Sequence, residues 1–231
     1  MSQDSYRGEH TQQETWNLYG YCSGNPVSFV DPSGHIPWYV HLNYRLNFAA
    51  MVKSNYWFNI HSRFKNESTI NNQQNKRIAP MRFGVSTVGA AGCGAIAMYN
   101  ALFCLKRKRN LASIIFDFEI GGMMINDGEG GTKHSSFLGY AKSKGFTNAK
   151  EVKSYKKVTN YVKKKKKNML LSYKNKWGNH IVFLRYGRMR RNRMKIFVYN
   201  GKKLSNDIPY ATYNHLSEFV KGGEFRYALC L

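Results

Sequence analysis

Three side chains in this sequence have the types needed for acyl transfer: the thiol of Cys93, the imidazole of His180 and the carboxamide of Asn200. A thiol nucleophile needs a base within hydrogen-bond reach and a third group that orients the base. Cys93 stands where the turn Gly92-Cys93-Gly94 gives way to a helical pattern, with Ile96, Tyr99, Leu102 and Phe103 forming one apolar stripe. At a helix N-terminus, unpaired N–H groups and the positive end of the macrodipole favour the thiolate, which is the reactive form. Gly92 and Gly94 leave the backbone free of Cβ clashes and give a substrate carbonyl access to main-chain donors. The same three residues also read as a buried structural cysteine between two glycines.

His180 opens the run His180-Ile181-Val182-Phe183-Leu184, and Asn200 ends the next one, Ile196 to Tyr199, where its amide oxygen could accept the imidazole N–H. Asp207 is a second candidate for the orienting role. His134, beside a glycine-rich loop, is a competing base ranked after His180. His41 and His61 have no partners at ligand spacing, and Cys22, Cys93, Cys104 and Cys230 match no paired zinc pattern, so neither a metal nor another cofactor is expected.

The elements that must position these residues follow from period and punctuation. Helices are expected from Gly94 toward the basic cluster Lys106-Arg107-Lys108-Arg109, from Leu111 to Met124, and from Ser135 to Lys144 with Gly145 as the stop. From Met169 the period shortens. Met169 to Tyr173, Asn179 to Tyr186 and Met194 to Tyr199 predict an antiparallel meander; a helix over Tyr213 to Val220 and a closing strand over Phe225 to Leu231 complete the pattern. The expected class is α+β, with a nucleophile helix and further helices packed on an antiparallel sheet. The loop from Asp127 to Thr132 lacks the lysine and hydroxyl of a phosphate-binding loop and carries two acids, so it is not read as one.

The chain divides at two places. Residues 1–35 hold turn signals around aromatic strand residues, residues 36–80 are a linker segment rich in Asn, Gln, Tyr and Trp with a helix around Leu42 to Val52, and residues 81–231 are the enzyme-like domain. Within 231 residues there are 36 Lys and Arg against 13 Asp and Glu, a net charge of +23. That excess favours an anionic partner, and Lys163 to Lys167 either bind one or form a solvated helix end. No apolar run approaches the roughly 18 residues of a membrane span. The polar first residues lack a signal-peptide core, so export is expected to depend on something outside this chain.

Two resemblances sharpen the reading. Asn17 to Gly34 resembles the phrase N-L-Y-x-Y-x-x-x-N-P-V-x-x-x-D-P-x-G that ends the core of Rhs/YD-repeat polymorphic toxins, with His35-Ile36 where a leucine often follows the glycine. It implies a C-terminal toxin domain, exported or displayed on the cell surface as part of a larger toxin, acting in the cytoplasm of a target cell and countered by a cognate immunity protein; given the charge here, that protein is expected to be acidic. It also marks Asp31-Pro32-Ser33-Gly34 as a boundary at which such proteins often cleave themselves.

Residues from about 81 to 231, through the Gly-Cys-Gly turn, Asn179-His180-Ile181-Val182-Phe183-Leu184 and Val198-Tyr199-Asn200-Gly201, resemble papain-like cysteine peptidases, closest to the C39-type branch. That resemblance implies Cys93 as nucleophile, His180 as general base and Asn200 as orienting residue, with a protein or peptide as substrate. The family's oxyanion glutamine, six residues before the cysteine, is here Thr87, with Ser86 beside it. Peptidase, deamidase and transglutaminase share this chemistry. A basic nuclease acting on RNA or DNA and a catalytically dead binding module are the readings from other classes.

Overall fold

The structure, a computed structural model, describes residues 36–158, 161, 168–175, 178–190, 193–199, 211–213 and 224–231. Two helices, α1 (Trp38–Leu46) and α2 (Phe48–Ile60), lead in; a short hairpin, β1 (Arg82–Phe83) and β2 (Ser86–Thr87), precedes a one-turn helix α3 (Val88–Ala91). Gly92 then joins α3 to α4 (Cys93–Cys104), followed by α5 (Leu111–Ile120) and α6 (Ser136–Ser143). The remaining strands are β3 (Lys150–Val152), β4 (Met169–Asn175), β5 (Gly178–Arg190), β6 (Arg193–Tyr199), β7 (Ala211–Tyr213) and β8 (Glu224–Cys230). Among the described residues they form one antiparallel sheet in the order β3-β8-β4-β5-β6-β7.

Alternation along the strands gives the sheet two apolar faces. Leu170, Ile181, Phe183, Tyr227 and Leu229 join α4, α5 and α6 in the larger core, while Met169, Leu171, Val182, Leu184, Ala228 and Cys230 meet Val152 and Val158 in a smaller one. The mixed α+β class and the meander over β4, β5 and β6 are therefore as the pattern indicated. The segment 36–80 also feeds this body: Ile70 and Ile78 are buried in the larger core, and Tyr56, Ile60 and Phe64 pack against it.

Three expectations need correction. The helix α4 is not a one-sided amphipathic helix, because Gly94 to Leu102 are all buried. Small residues at Ala95, Ala97 and Ala101 let β5 and α5 close on it, and the buried Asn100 amide exchanges two 2.8 Å hydrogen bonds with the Ile70 backbone, strapping the preceding loop to its side. The helix that starts at Leu111 stops at Ile120 instead of Met124, since Gly121-Gly122 follows and Gly122 has φ +60°. Tyr213 lies in β7, opposite Ile196, where a helix was expected to begin.

The basic cluster after α4 is committed internally. Lys106 takes the left-handed conformation at φ +60°, and the Arg107 N–H reaches back 2.8 Å to the Leu102 carbonyl, closing the helix with a Schellman-type turn. Arg107 covers the Phe146 ring, Lys108 lies over Phe103, and Arg109 pairs with Asp117. Lys163 to Lys167 lie outside the described residues.

Candidate active site

The turn into α4 is built by close approach. Gly92 has an ordinary φ of −81°, but a Cβ there would lie 2.7 Å from both Val88 Cα and Cγ1. A Cβ on Gly94 would lie 2.6 Å from Thr132 Oγ1 and 2.9 Å from Phe137 Cζ, so this buried glycine admits the 131–137 segment to the helix. The α3 turn in front is held from outside by two amides: Gln73 Nε2 donates to the Val88 and Gly89 carbonyls at 2.8 and 3.0 Å, and Gln74 Nε2 to Gly89 at 2.7 Å. Those glutamines sit in the Asn- and Gln-rich segment that reads from sequence as a linker.

At the end of this scaffold Cys93 is the first residue of α4 and is half-buried. Burial alone would push its thiol up. The His180 imidazole reverses that, through a hydrogen bond to the sulfur and through charge, and the Ile181 and Gly94 backbone N–H groups add two more donors, so the thiol lies below its ordinary range. The base comes from β5, the strand that packs on α4. His180 is paired across the sheet with Tyr173, whose ring meets the imidazole edge-on at 5.9 Å and 89°. A thiolate–imidazolium pair at a helix N-terminus is the reactive state of a cysteine hydrolase.

Cys93 and His180, 87 positions apart in the chain, are thus brought together. Asn200 and Asp207 lie outside the described residues, although Tyr199, immediately before Asn200, pairs with Phe183 on the His180 strand. Ser86 and Thr87 form β2, and Thr87 Oγ1 accepts from the Ala90 N–H at 3.4 Å as the cap of α3. His134 is occupied elsewhere: its Nε2 is 3.0 Å from Ser172 Oγ, its ring stacks on Tyr227 at 5.3 Å, and burial pushes its pKa down. The Ile181 N–H donor had no sequence signal, because any non-proline residue supplies it.

The loop acids serve structure. Asp127 Oδ2 takes His41 Nδ1 at 3.0 Å and Arg45 Nε at 2.7 Å, while Glu129 takes His41 Nε2 at 3.3 Å and the Ile36 N–H at 3.2 Å. His41 thus ties α1 to the glycine loop. Among the described residues no three His, Cys, Asp or Glu side chains gather in a way that could hold a metal ion. No helix among them is long and apolar enough to cross a membrane. No protein-family model matches the chain, and no curated protein matches its sequence.

Proposed function

We propose that this chain carries a papain-like cysteine hydrolase domain, the C-terminal effector of a polymorphic toxin, which cleaves an amide in a protein or peptide target through a thioester. The observation that carries the reading is the meeting of the Cys93 thiol, at the N-terminus of α4, with the His180 imidazole of β5, the strand that packs on α4. In the first half-reaction the thiolate attacks the carbonyl carbon, forming the S–C bond as the carbonyl electrons move to oxygen. Collapse of that adduct breaks the C–N bond, and the His180 imidazolium gives its proton to the departing nitrogen. Water then gives a proton to His180 and its oxygen to the thioester carbon, and the C–S bond breaks to restore the thiolate. Asn200 is assigned the orienting role by the family pattern. Thr87, in the glutamine position, offers a shorter and differently aimed donor than an amide, so oxyanion stabilisation falls chiefly to backbone donors at the Cys93 turn.

The same intermediate serves a deamidase, whose carbonyl belongs to a side chain, and a transglutaminase, where an amine replaces water. The test is expression of the chain in a susceptible cell beside Cys93→Ala and His180→Ala, with intact-mass detection of an acyl adduct on Cys93. Loss of toxicity in both variants, with an adduct on the wild type alone, is the expected result. Toxicity that survives Cys93→Ala, or tRNA degradation unaffected by it, refutes the assignment in favour of a nuclease. An acidic immunity protein is expected to protect Cys93 from alkylation.

A further inference from the structure

Among the side chains described between residues 36 and 174, the exposed large apolar ones lie on one part of the molecule. Trp38, Tyr39, Leu42 and Leu46 are on α1, Phe48, Trp57 and Phe58 on α2, Ile120 ends α5, which packs on α2, and Ile125 precedes the 3-10 turn (Asn126–Gly128), which packs on α1. Trp38 and Leu46 are 68% and 75% exposed. On α1, Trp38, Leu42 and Leu46 follow each other at four-residue intervals, a single outward stripe, while Tyr44 is buried. A stripe this apolar on a folded surface marks an interaction site.

The charge around it selects the occupant. Between Ile36 and Glu67 the chain has Arg45, Lys53, Arg63 and Lys65 against the single acid Glu67, and of the loop acids beside α1, Glu129 is taken by His41 and the Ile36 N–H. Arg45 pairs with Asp127, which leaves Lys53, Arg63 and Lys65, together with Arg82, whose guanidinium lies 4.9 Å over the Phe58 ring. Exposed Trp, Tyr and Leu beside basic side chains suit the boundary between lipid headgroups and acyl chains, where the ring bodies bury apolar area and cations meet anionic headgroups. A second copy of the chain fits poorly, because each would bring a net +23 to the contact.

We propose that the α1–α2 face docks on an anionic lipid surface. The site is separate from the Cys93 chemistry and does not depend on it. The docked α1 lies in the interfacial plane, with Trp38, Leu42 and Leu46 below the headgroups and the Lys53, Arg63 and Lys65 cations among them.

The experiment is co-sedimentation of the full chain with vesicles of phosphatidylcholine alone or mixed with phosphatidylglycerol, at low and high salt. Expected is binding to the mixed vesicles that weakens with salt, little binding to the neutral ones, and a loss of at least about tenfold in Trp38→Ser/Leu42→Ser/Leu46→Ser, since each substitution removes apolar area that docking buries. Unchanged alkylation of Cys93 in that triple variant shows that it has folded. Equal binding to both vesicle types, no binding, or binding that survives the triple substitution overturns the proposal, the last assigning it to lysines elsewhere. A chain with Trp16→Phe and Trp177→Phe reads the same face by fluorescence. Trp38 and Trp57 emission already shielded from acrylamide without vesicles also overturns it, by placing those rings under another part of the chain or a second copy.

Discussion

Replacing Glu119 with glutamine tests the energetics of the buried polar pair behind the hairpin. Glu119 is 4% exposed on α5; its Oε1 accepts from Asn55 Nδ2 and from the Gly84 N–H, both at 2.8 Å. Its Oε2 and Asn55 Oδ1 are buried acceptors without a hydrogen-bond partner. A proton on Oε2 supplies the donor this pair lacks. Burial pushes the carboxyl up to about 7 from an ordinary 4.5, against the two hydrogen bonds that pull it down. A carboxyl raised in this way binds its proton more tightly in the folded chain, so stability is greatest below the unfolded value and falls as pH rises from 4.5 toward 7. The span corresponds to about 3 kcal/mol at 1.36 kcal/mol per pH unit.

Glutamine is neutral throughout this range, keeps one acceptor and offers an N–H in place of the carboxyl proton. At pH 8 Glu119→Gln is expected to be more stable than the wild type by about 3 kcal/mol, raising Tm by roughly 6–12 °C for a chain of this size. At pH 5 the two should agree to within about 1 kcal/mol. Thermal and urea melts at both values measure this. Equal stability at pH 8, or a difference that does not change with pH, refutes the assignment of a proton to the buried carboxyl.

Three further outcomes follow from the packing around Cys93. His180→Gln should move the midpoint of the Cys93 alkylation–pH profile upward and slow iodoacetamide labelling at pH 6 by about 10- to 100-fold, since the charge that offsets burial is lost; an unmoved midpoint excludes the ion pair. Gly94→Ala should cost about 1–3 kcal/mol in urea titration, because its Cβ meets Thr132 and Phe137 at 2.6 and 2.9 Å, and an unchanged midpoint contradicts the packing described. Thr132 Oγ1 is buried without a hydrogen-bond partner, so Thr132→Val should be neutral or stabilise by up to about 1 kcal/mol, and a loss of more than that shows that the hydroxyl is bonded.

Local pattern alone placed the α4 helix, its glycine turn, the Gly145 stop and the three strands of the meander, because period, capping and turn chemistry depend on residues a few positions apart. It also singled out Cys93 and His180 as a pair, from side-chain type and position at the start of an element. Whether the thiol and imidazole meet is a long-range matter, decided when β5 packs on α4 and the Ile181 N–H turns toward the sulfur. The same packing buried α4 on every side, put β8 between β3 and β4, engaged His134 with Ser172, and left Glu119 sharing a buried site with Asn55. Composition and spacing could not show these, since a strand's neighbours and a buried group's partners depend on how distant segments close together, and hydrophobic period records only that a side is covered.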